Sequence, residues 1–157
     1  MRWVVTMALV LLATLPTAAA PASGVPAGQD VETVFREFGL LGTWAVDCTR
    51  PAELDNPRVS DVLLSPGEVM ERHDLGPGSE PNLYSILAAK RLSKTRIGLW
   101  VIFRPGQEGE QRQRLEMVVR DDTRRTLFNQ PQGGPVRVKD GVVVGYGLKT
   151  PLLHKCE

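Results

Sequence analysis

The residues best suited to acid–base chemistry are grouped around a histidine in the middle of the chain. His73 is followed by Asp74, Glu68 and Glu71 precede it in the same predicted strand, and Ser85 lies in the next one. A histidine oriented by a carboxylate can act as a general base toward a hydroxyl nucleophile. Adjacent residues of a strand point to opposite faces, however, so His73 and Asp74 do not face one substrate together. We interpret His73 as an exposed or loop-edge residue and predict no catalytic residue.

No motif in the sequence supplies a catalytic or cofactor-binding site. The chain contains no Gly-x-Ser-x-Gly, no His-Glu-x-x-His, no phosphate loop and no dinucleotide-binding pattern. The two histidines, His73 and His154, do not show metal-ligand spacing relative to the cysteines. We therefore expect a protein that is not an enzyme and that uses neither a cofactor nor a metal.

Large aromatic side chains are the other residues that could form a site. Tyr84, Trp100, Phe103 and Phe128 lie in segments that we predict to be strands. Aromatic side chains line many pockets for small apolar molecules, and they also fill ordinary protein cores. We predict these four residues as the contacts of a small apolar ligand.

These aromatic residues lie in a succession of short predicted strands. Alternating apolar and polar residues, separated by turns about every ten residues, predict an antiparallel sheet. Asp140-Gly141 is the strongest hairpin signal. The predicted strands are Thr43 to Cys48, Arg58 to Leu64, Glu68 to Asp74, Leu83 to Leu92, Arg96 to Arg104, Gln113 to Arg120, Thr126 to Asn129, Val136 to Lys139 and Val142 to Gly145.

A short amphipathic helix precedes the strands. Val31, Val34, Phe35 and Phe38 recur at helical spacing behind Asp30, which is a suitable N-cap, and a glycine follows them. The pattern predicts a helix of about two turns.

Two cysteines, Cys48 and Cys156, predict one disulfide that ties the start of the domain to its end. In a closed meander the first strand pairs with the last, so this bond would lie beside the closing seam. We therefore predict an all-β fold, an antiparallel up-and-down barrel of about eight strands with a short N-terminal helix. The alternative is a two-sheet β-sandwich, which gives the two ends no special reason to meet.

Gly42-Thr43-Trp44, directly after the predicted helix, resembles the entrance to the first strand in lipocalins and the wider calycin group. The resemblance implies an eight-stranded barrel in which Trp44 packs across the closed end. It also implies a basic residue over that tryptophan, for which Lys149, His154 and Lys155 are the candidates. Otherwise the chain resembles uncharacterised small exported bacterial proteins.

The first residues have the order of a secretory signal. Arg2 is followed by an apolar run from Trp3 to Leu15 and by small residues around Ala20. We predict a signal peptide at residues 1–22, a flexible leader at 23–29 and a single domain at 30–157. A periplasmic or secreted protein is expected, without a membrane anchor in the mature form.

The charge of the chain is balanced. It contains 19 Lys and Arg against 18 Asp and Glu, and removal of Arg2 with the signal leaves 18 of each. A neutral protein has no field that would steer it to a polyanion or to acidic lipid heads, so we expect no nucleic-acid partner. Asp121 and Asp122 lie among Arg120, Arg124 and Arg125, and we interpret this cluster as a solvated hairpin end.

Two functions fit these expectations, and in both the protein is a monomer. The first is a lipocalin-like, non-enzymatic binding protein that holds a small apolar ligand inside the barrel. The second is a protein-binding module, such as an inhibitor of a periplasmic hydrolase, that acts through the loops from Leu75 to Asn82 and from Pro105 to Gln111. A cavity inside the barrel would favour the first function, and a filled interior the second.

Overall fold

The structure, a computed structural model, describes residues 29–156. The predicted signal peptide and all but the last residue of the predicted leader lie outside the described residues. The described residues form helix α1, Val31–Glu37, and ten strands. The strands are β1 (Gly42–Ala45), β2 (Arg58–Ser65), β3 (Glu68–Asp74), β4 (Asn82–Arg91), β5 (Arg96–Phe103), β6 (Gln111–Arg120), β7 (Thr123–Pro131), β8 (Val138–Lys139), β9 (Val142–Val143) and β10 (Leu153–Cys156).

Helix α1 forms where the sequence predicts it. The Asp30 carboxylate accepts a hydrogen bond from the N–H of Thr33 at 2.8 Å, which caps the helix N-terminus. Val34 and Phe35 are fully buried, so the predicted apolar face packs on the barrel. Gly39 follows the helix with a φ of +63°, a backbone conformation that favours glycine.

The sheet is a closed antiparallel barrel of eight strands, as predicted. Strands β1 to β7 are hydrogen-bonded in sequence order, and β10 pairs with both β1 and β7. At the closure Trp44 of β1 lies opposite Lys155, and Leu153 lies opposite Arg124 of β7. The barrel is consistent with a lipocalin-like fold, and the alternative of a two-sheet sandwich is wrong.

Cys48 and Cys156 form the predicted disulfide. Their Cα atoms are 5.5 Å apart, and 108 positions separate them in the sequence. Because Cys156 is the last residue of β10 and pairs with Thr43 of β1, the bond lies at the seam that closes the barrel.

The closing strand β10 lies after the last of the predicted strands. Leu153–Cys156 is not among the predicted strands, because four residues after Pro151 carry little strand signal by themselves. The segments expected as strands at 136–139 and 142–145 are instead the two-residue strands β8 and β9, a hairpin on the edge of β7. The turn between them is the predicted Asp140-Gly141, with φ values of 51° and 75°.

Strand β7 is longer than predicted, and its first residues change the interpretation of the arginine cluster. The strand runs from Thr123 to Pro131 rather than from Thr126 to Asn129. Arg124 lies within it, faces the barrel interior and is 2% exposed. The interpretation of Arg124 as part of a solvated hairpin end is therefore wrong, whereas Arg120 is exposed as expected.

The helix covers one end of the barrel. The N–H of Gly67, in the turn between β2 and β3, donates to Glu32 at 3.0 Å, and Arg91 at the end of β4 pairs with Glu37 at 2.6 Å. The core lies between the helix and the strands, with Trp44, Phe35, Leu40, Ile97 and Leu99 among its largest buried side chains. No helix in residues 29–156 combines the length and apolar character needed to cross a bilayer.

A long segment, which we call the flap (residues 132–152), lies along the part of β7 that β10 does not reach. Within residues 29–156, strand β10 pairs with β7 at Arg124 and Thr123 and no further along it. Beyond that point Gly141 of the flap donates its N–H to the Leu127 carbonyl at 2.9 Å, and Thr150 donates its hydroxyl to the Thr126 carbonyl at 2.7 Å. The flap thus completes the barrel wall along β7 through these short hydrogen-bonded segments.

Candidate functional site

The barrel interior contains a cavity of about 260 Å³. It lies toward the end opposite helix α1, since His73 near the end of β3 and Tyr84 near the start of β4 line it. Its wall includes Val138, Thr150 and Pro151 of the flap. The flap therefore separates the cavity from solvent on one side.

The cavity wall is mostly apolar. Inward-facing side chains of the barrel strands supply it, because every second residue of a strand faces the interior. These side chains include Val59, Ile86, Leu99, Val101, Met117 and Leu153. Burial of the apolar surface of a ligand against such a wall is favourable, and the wall offers the ligand few hydrogen-bond partners.

A buried ion cluster lies at one side of this apolar wall. The Arg124 guanidinium donates to the Asp61 carboxylate at 2.6 Å and lies 3.3 Å from a carboxylate oxygen of Glu71. Asp61 and Glu71 are direct neighbours across β2 and β3. Two carboxylates thus share a single arginine in the barrel interior, and they cannot both be ionised without leaving an excess negative charge there.

The proton in this cluster belongs to Asp61. Burial raises the pKa of the Asp61 carboxyl well above its usual range, and the neighbouring Glu71 carboxylate adds to this rise. The Asp61 side chain is fully buried, and its Oδ1 atom has no established hydrogen-bond partner within residues 29–156. A protonated Asp61 can donate a hydrogen bond to Glu71, which supplies the missing contact.

The negative charge belongs to Glu71. Burial alone would raise the pKa of this carboxyl, but the Arg124 guanidinium and His73 outweigh burial and lower the pKa to about 2. With Asp61 protonated, Glu71 and Arg124 neutralise each other. The ion cluster therefore has no net charge at neutral pH.

His73 and Tyr84 are the polar groups next to Glu71. His73 Nε2 lies 2.6 Å from a Glu71 oxygen, and an ionised carboxylate only accepts, so Nε2 carries the proton. The His73 and Tyr84 rings lie 4.8 Å apart. Burial and the Glu71 charge raise the pKa of Tyr84 to about 12, so its hydroxyl remains a hydrogen-bond donor. His73 is half-buried and lines the cavity, so it is not an exposed residue, although it lies next to the loop that follows β3, one of the two expected positions.

Trp44 lies beneath the ion cluster at the closed end of the barrel. It is fully buried, and its indole N–H donates to the Leu40 carbonyl at 2.8 Å. The Lys155 ammonium lies 5.4 Å from the Trp44 ring and donates to the Gly39 carbonyl at 2.6 Å. Of the three expected basic partners, Lys155 is the one over Trp44, and Arg124 at 5.0 Å is a second that the sequence did not suggest.

The four predicted ligand contacts are not brought together in one place. Tyr84 lines the cavity, and Phe103 packs behind it with the ring centres 5.1 Å apart. Trp100 lines a different groove of about 280 Å³ on the outer face of the barrel. Phe128 lies on β7 under the Arg114 guanidinium, which is 5.4 Å from the ring centre.

The residues considered for acid–base chemistry are separated by the sheet. Asp74 lies near Arg72, at 3.9 Å, and the carboxylate that contacts His73 is Glu71 instead. Ser85 adjoins the inward-facing Tyr84 on β4 and so lies on the opposite face. His73 is thus oriented by a carboxylate but does not share a face with the serine considered as its partner.

Comparisons with protein-family models, with curated proteins and with solved structures find no match to this chain. The fold and the geometry of the cavity are therefore the basis for a functional assignment.

Proposed function

We propose that this protein is a non-enzymatic binding protein that holds one small, uncharged and mostly apolar molecule inside its barrel. The observation that carries the proposal is the interior cavity with its apolar wall. The barrel fold is compatible with such a role, because barrels of about eight strands accommodate either packed side chains or one small ligand.

The size of the cavity supports a ligand of one or two rings. A volume of about 260 Å³ lies near the lower end of small-molecule sites, which begin at about 300 Å³. It also exceeds the roughly 150 Å³ of an apolar cavity that accepts benzene. Larger lipids would not fit without movement of the wall.

The charges support an uncharged ligand. Arg124 and Glu71 already form a pair, and the buried Asp61 carries a proton, so the cluster offers a charged ligand no free counter-charge. Arg125, which also lines the cavity, donates to the Thr150 hydroxyl and the Gly141 carbonyl. A buried charge without a partner is strongly disfavoured. His73 and Tyr84 could instead satisfy a single hydroxyl or amide group of the ligand.

The alternative function, a protein-binding module acting through its loops, draws its support from topology. The segments 75–82 and 105–111 connect antiparallel neighbours, β3 to β4 and β5 to β6, and so emerge at the same end of the barrel. The presence of a cavity favours the carrier, because a purely structural barrel would be packed to ordinary density.

We further propose that the protein is exported and works in the periplasm or outside the cell. The Cys48–Cys156 disulfide is typical of an oxidising compartment. The order of charge, apolar run and small residues in the first 22 positions supports the same proposal.

The proposed function can be tested by calorimetric titration with 2-naphthol, a two-ring probe with one hydroxyl. Met117 is 5% exposed and faces the cavity, so Met117→Trp places a larger side chain in it. We expect the wild type to bind one equivalent and Met117→Trp to bind at least about tenfold more weakly, a loss of about 1.4 kcal/mol.

Val118→Trp is the matched control. Val118 is the next residue of β6, is half-buried and points to the outer face. Its substitution introduces the same side chain without filling the cavity, so probe affinity should stay at the wild-type level. Equal weakening by the two substitutions, or no binding of the probe to the wild type, would argue against the proposed function.

A further inference from the structure

The flap carries the densest group of exposed apolar side chains in residues 29–156. Val144, Tyr146 and Leu148, which we call the apolar tip, are 52%, 79% and 66% exposed. They occupy alternate positions within five residues. The other large apolar side chains that are exposed lie singly or in pairs on several strands and loops, which is normal for a protein surface.

The apolar tip belongs to a closed turn with its own hydrogen bonds. The Val143 N–H donates to the Leu148 carbonyl at 2.8 Å. The Val143 carbonyl accepts from the N–H groups of Tyr146 and Gly147, at 3.3 and 3.1 Å. These bonds satisfy backbone groups that would otherwise need water, so the turn can approach an apolar medium at lower cost.

Cationic residues flank the apolar tip along the chain. The Val144 N–H donates to the Arg137 carbonyl at 2.8 Å, and Lys139 and Lys149 both pair with Val142. Among the described residues none of these three cations forms an ion pair. Asp140 is the one acidic residue in positions 132–152 of the sequence. The balanced net charge of the chain therefore conceals a local excess of positive charge beside the tip.

We propose that the flap docks on the surface of an anionic lipid bilayer. In this arrangement Tyr146, Val144 and Leu148 enter the headgroup region, where tyrosine is favoured because it has an apolar ring and a polar hydroxyl. Arg137, Lys139 and Lys149 contact anionic headgroups, which attract basic residues near a membrane surface. The surface of an anionic bilayer binds aromatic and aliphatic side chains that lie next to cationic ones.

A lipid surface fits this patch better than a protein partner does. A stable protein interface buries about 800 Å² on each partner and depends on a central packed cluster. Three side chains on one turn offer less buried area than this, whereas each of them can enter a bilayer surface without a packed cluster around it. Docking would also bring the flap residues that line the cavity, Val138, Thr150 and Pro151, close to the lipid. The docking itself requires no ligand in the cavity.

Vesicle flotation tests this proposal. The assay uses the protein as it is purified from the cells that produce it, and intact mass spectrometry determines where its N-terminus lies. One set of vesicles contains equal parts of phosphatidylglycerol and phosphatidylethanolamine, and the other contains phosphatidylcholine alone. We expect binding to the anionic vesicles, with partitioning about tenfold weaker for Tyr146→Ser, since an exposed ring should bury most of its area in the interface. Lys139→Gln with Lys149→Gln should weaken binding about tenfold on anionic vesicles, and added salt should act in the same direction.

Leu54→Ser is the matched control. Leu54 is 77% exposed, almost as much as Tyr146, but it lies in the segment between β1 and β2. Tyr146→Ser and Leu54→Ser have the same N-terminus, so a difference between them in vesicle binding is due to the apolar tip alone. Unchanged binding by Leu54→Ser together with the loss in Tyr146→Ser supports docking. Absence of wild-type binding, equal losses in the two variants, or a tip that only mediates self-association in the absence of vesicles would overturn the proposal.

Discussion

Substitution of Arg124 by methionine tests the buried ion cluster that forms one side of the cavity. The change removes the guanidinium that contacts Asp61 at 2.6 Å and Glu71 at 3.3 Å, and it keeps an unbranched side chain in the barrel. Asp61 already carries a proton and tolerates the loss. Glu71 is left as a buried carboxylate without the guanidinium, in contact with His73 Nε2 at 2.6 Å.

The size of the expected loss of stability follows from the Glu71 charge that remains without its guanidinium partner. Removal of one partner from a buried ion pair costs about 3 to 5 kcal/mol. The depression of the Glu71 pKa from 4.5 to about 2 gives a figure of similar order, about 3 to 4 kcal/mol at about 1.4 kcal/mol per pH unit. We therefore expect Arg124→Met to lower the free energy of unfolding by about 3 to 5 kcal/mol at neutral pH.

The pH dependence separates this explanation from a simple loss of packing. A carboxyl with a lowered folded pKa stabilises the fold above its unfolded pKa, and this contribution is lost as the pH falls toward the folded value. Without Arg124, burial raises the Glu71 pKa, so acid protonates Glu71 and removes the unpaired charge. The difference between wild type and variant should therefore shrink as the pH is lowered from about 7 to about 4.

Urea denaturation followed by tryptophan fluorescence measures both effects. Arg120→Met is the control, because Arg120 is exposed on the neighbouring strand and should change the free energy by less than about 0.5 kcal/mol. A cost below about 1 kcal/mol for Arg124→Met, or a larger cost that does not vary with pH, would refute the assignment of Arg124 as the counter-charge of Glu71.

Two further predictions concern stability. Reduction of the Cys48–Cys156 disulfide should remove up to about 4 to 5 kcal/mol, because the bond closes a loop of 108 positions, and a melting curve unchanged by dithiothreitol would contradict this. Asp61 retains a proton in the fold and loses it on unfolding above its ordinary pKa of 3.8, so it makes the wild type less stable as the pH rises from there toward the raised folded value. Asp61→Asn should flatten this decline in urea denaturation curves recorded between about pH 4.5 and 8, and a variant with the wild-type slope would show that Asp61 is ionised in the fold.

The architecture could be predicted because it depends on local patterns. Alternation of polar and apolar residues marks strands, and Asp140-Gly141 forms the hairpin that its residue types indicate. The barrel closure was inferred from Cys48 and Cys156, whose bond requires the two ends of the domain to meet. The closing strand Leu153–Cys156 was missed because its pairing with β1 depends on the whole barrel being formed.

The ion cluster could not be predicted in the same way, because its members are far apart in the sequence. Arg124 lies 63 positions from Asp61, and its acidic neighbours at 121 and 122 made a surface turn the simpler interpretation. One signal was present: Glu71 and His73 alternate with the inward-facing Val69, so two polar residues occupy the apolar face of a strand. Such residues need buried partners, although the sequence does not say which.

The sequence also did not indicate which of the aromatic side chains face the cavity. Tyr84 and Trp100 both lie in correctly predicted strands, yet one faces the cavity and the other the outer groove. A bulge at Leu87 on β4 and another at Leu127 on β7, the strand that carries Phe128, shift the alternation of faces along those two strands. Which side chains reach the interior is thus set by irregularities that alternation alone does not reveal.

The most direct test of the binding cavity is native mass spectrometry of the protein purified from the compartment in which it accumulates. We expect one small molecule per wild-type chain, released on unfolding and absent from Met117→Trp prepared in the same way. A bare wild-type mass in several independent preparations, or a bound molecule retained by Met117→Trp, would contradict the assignment of the barrel interior as a ligand site.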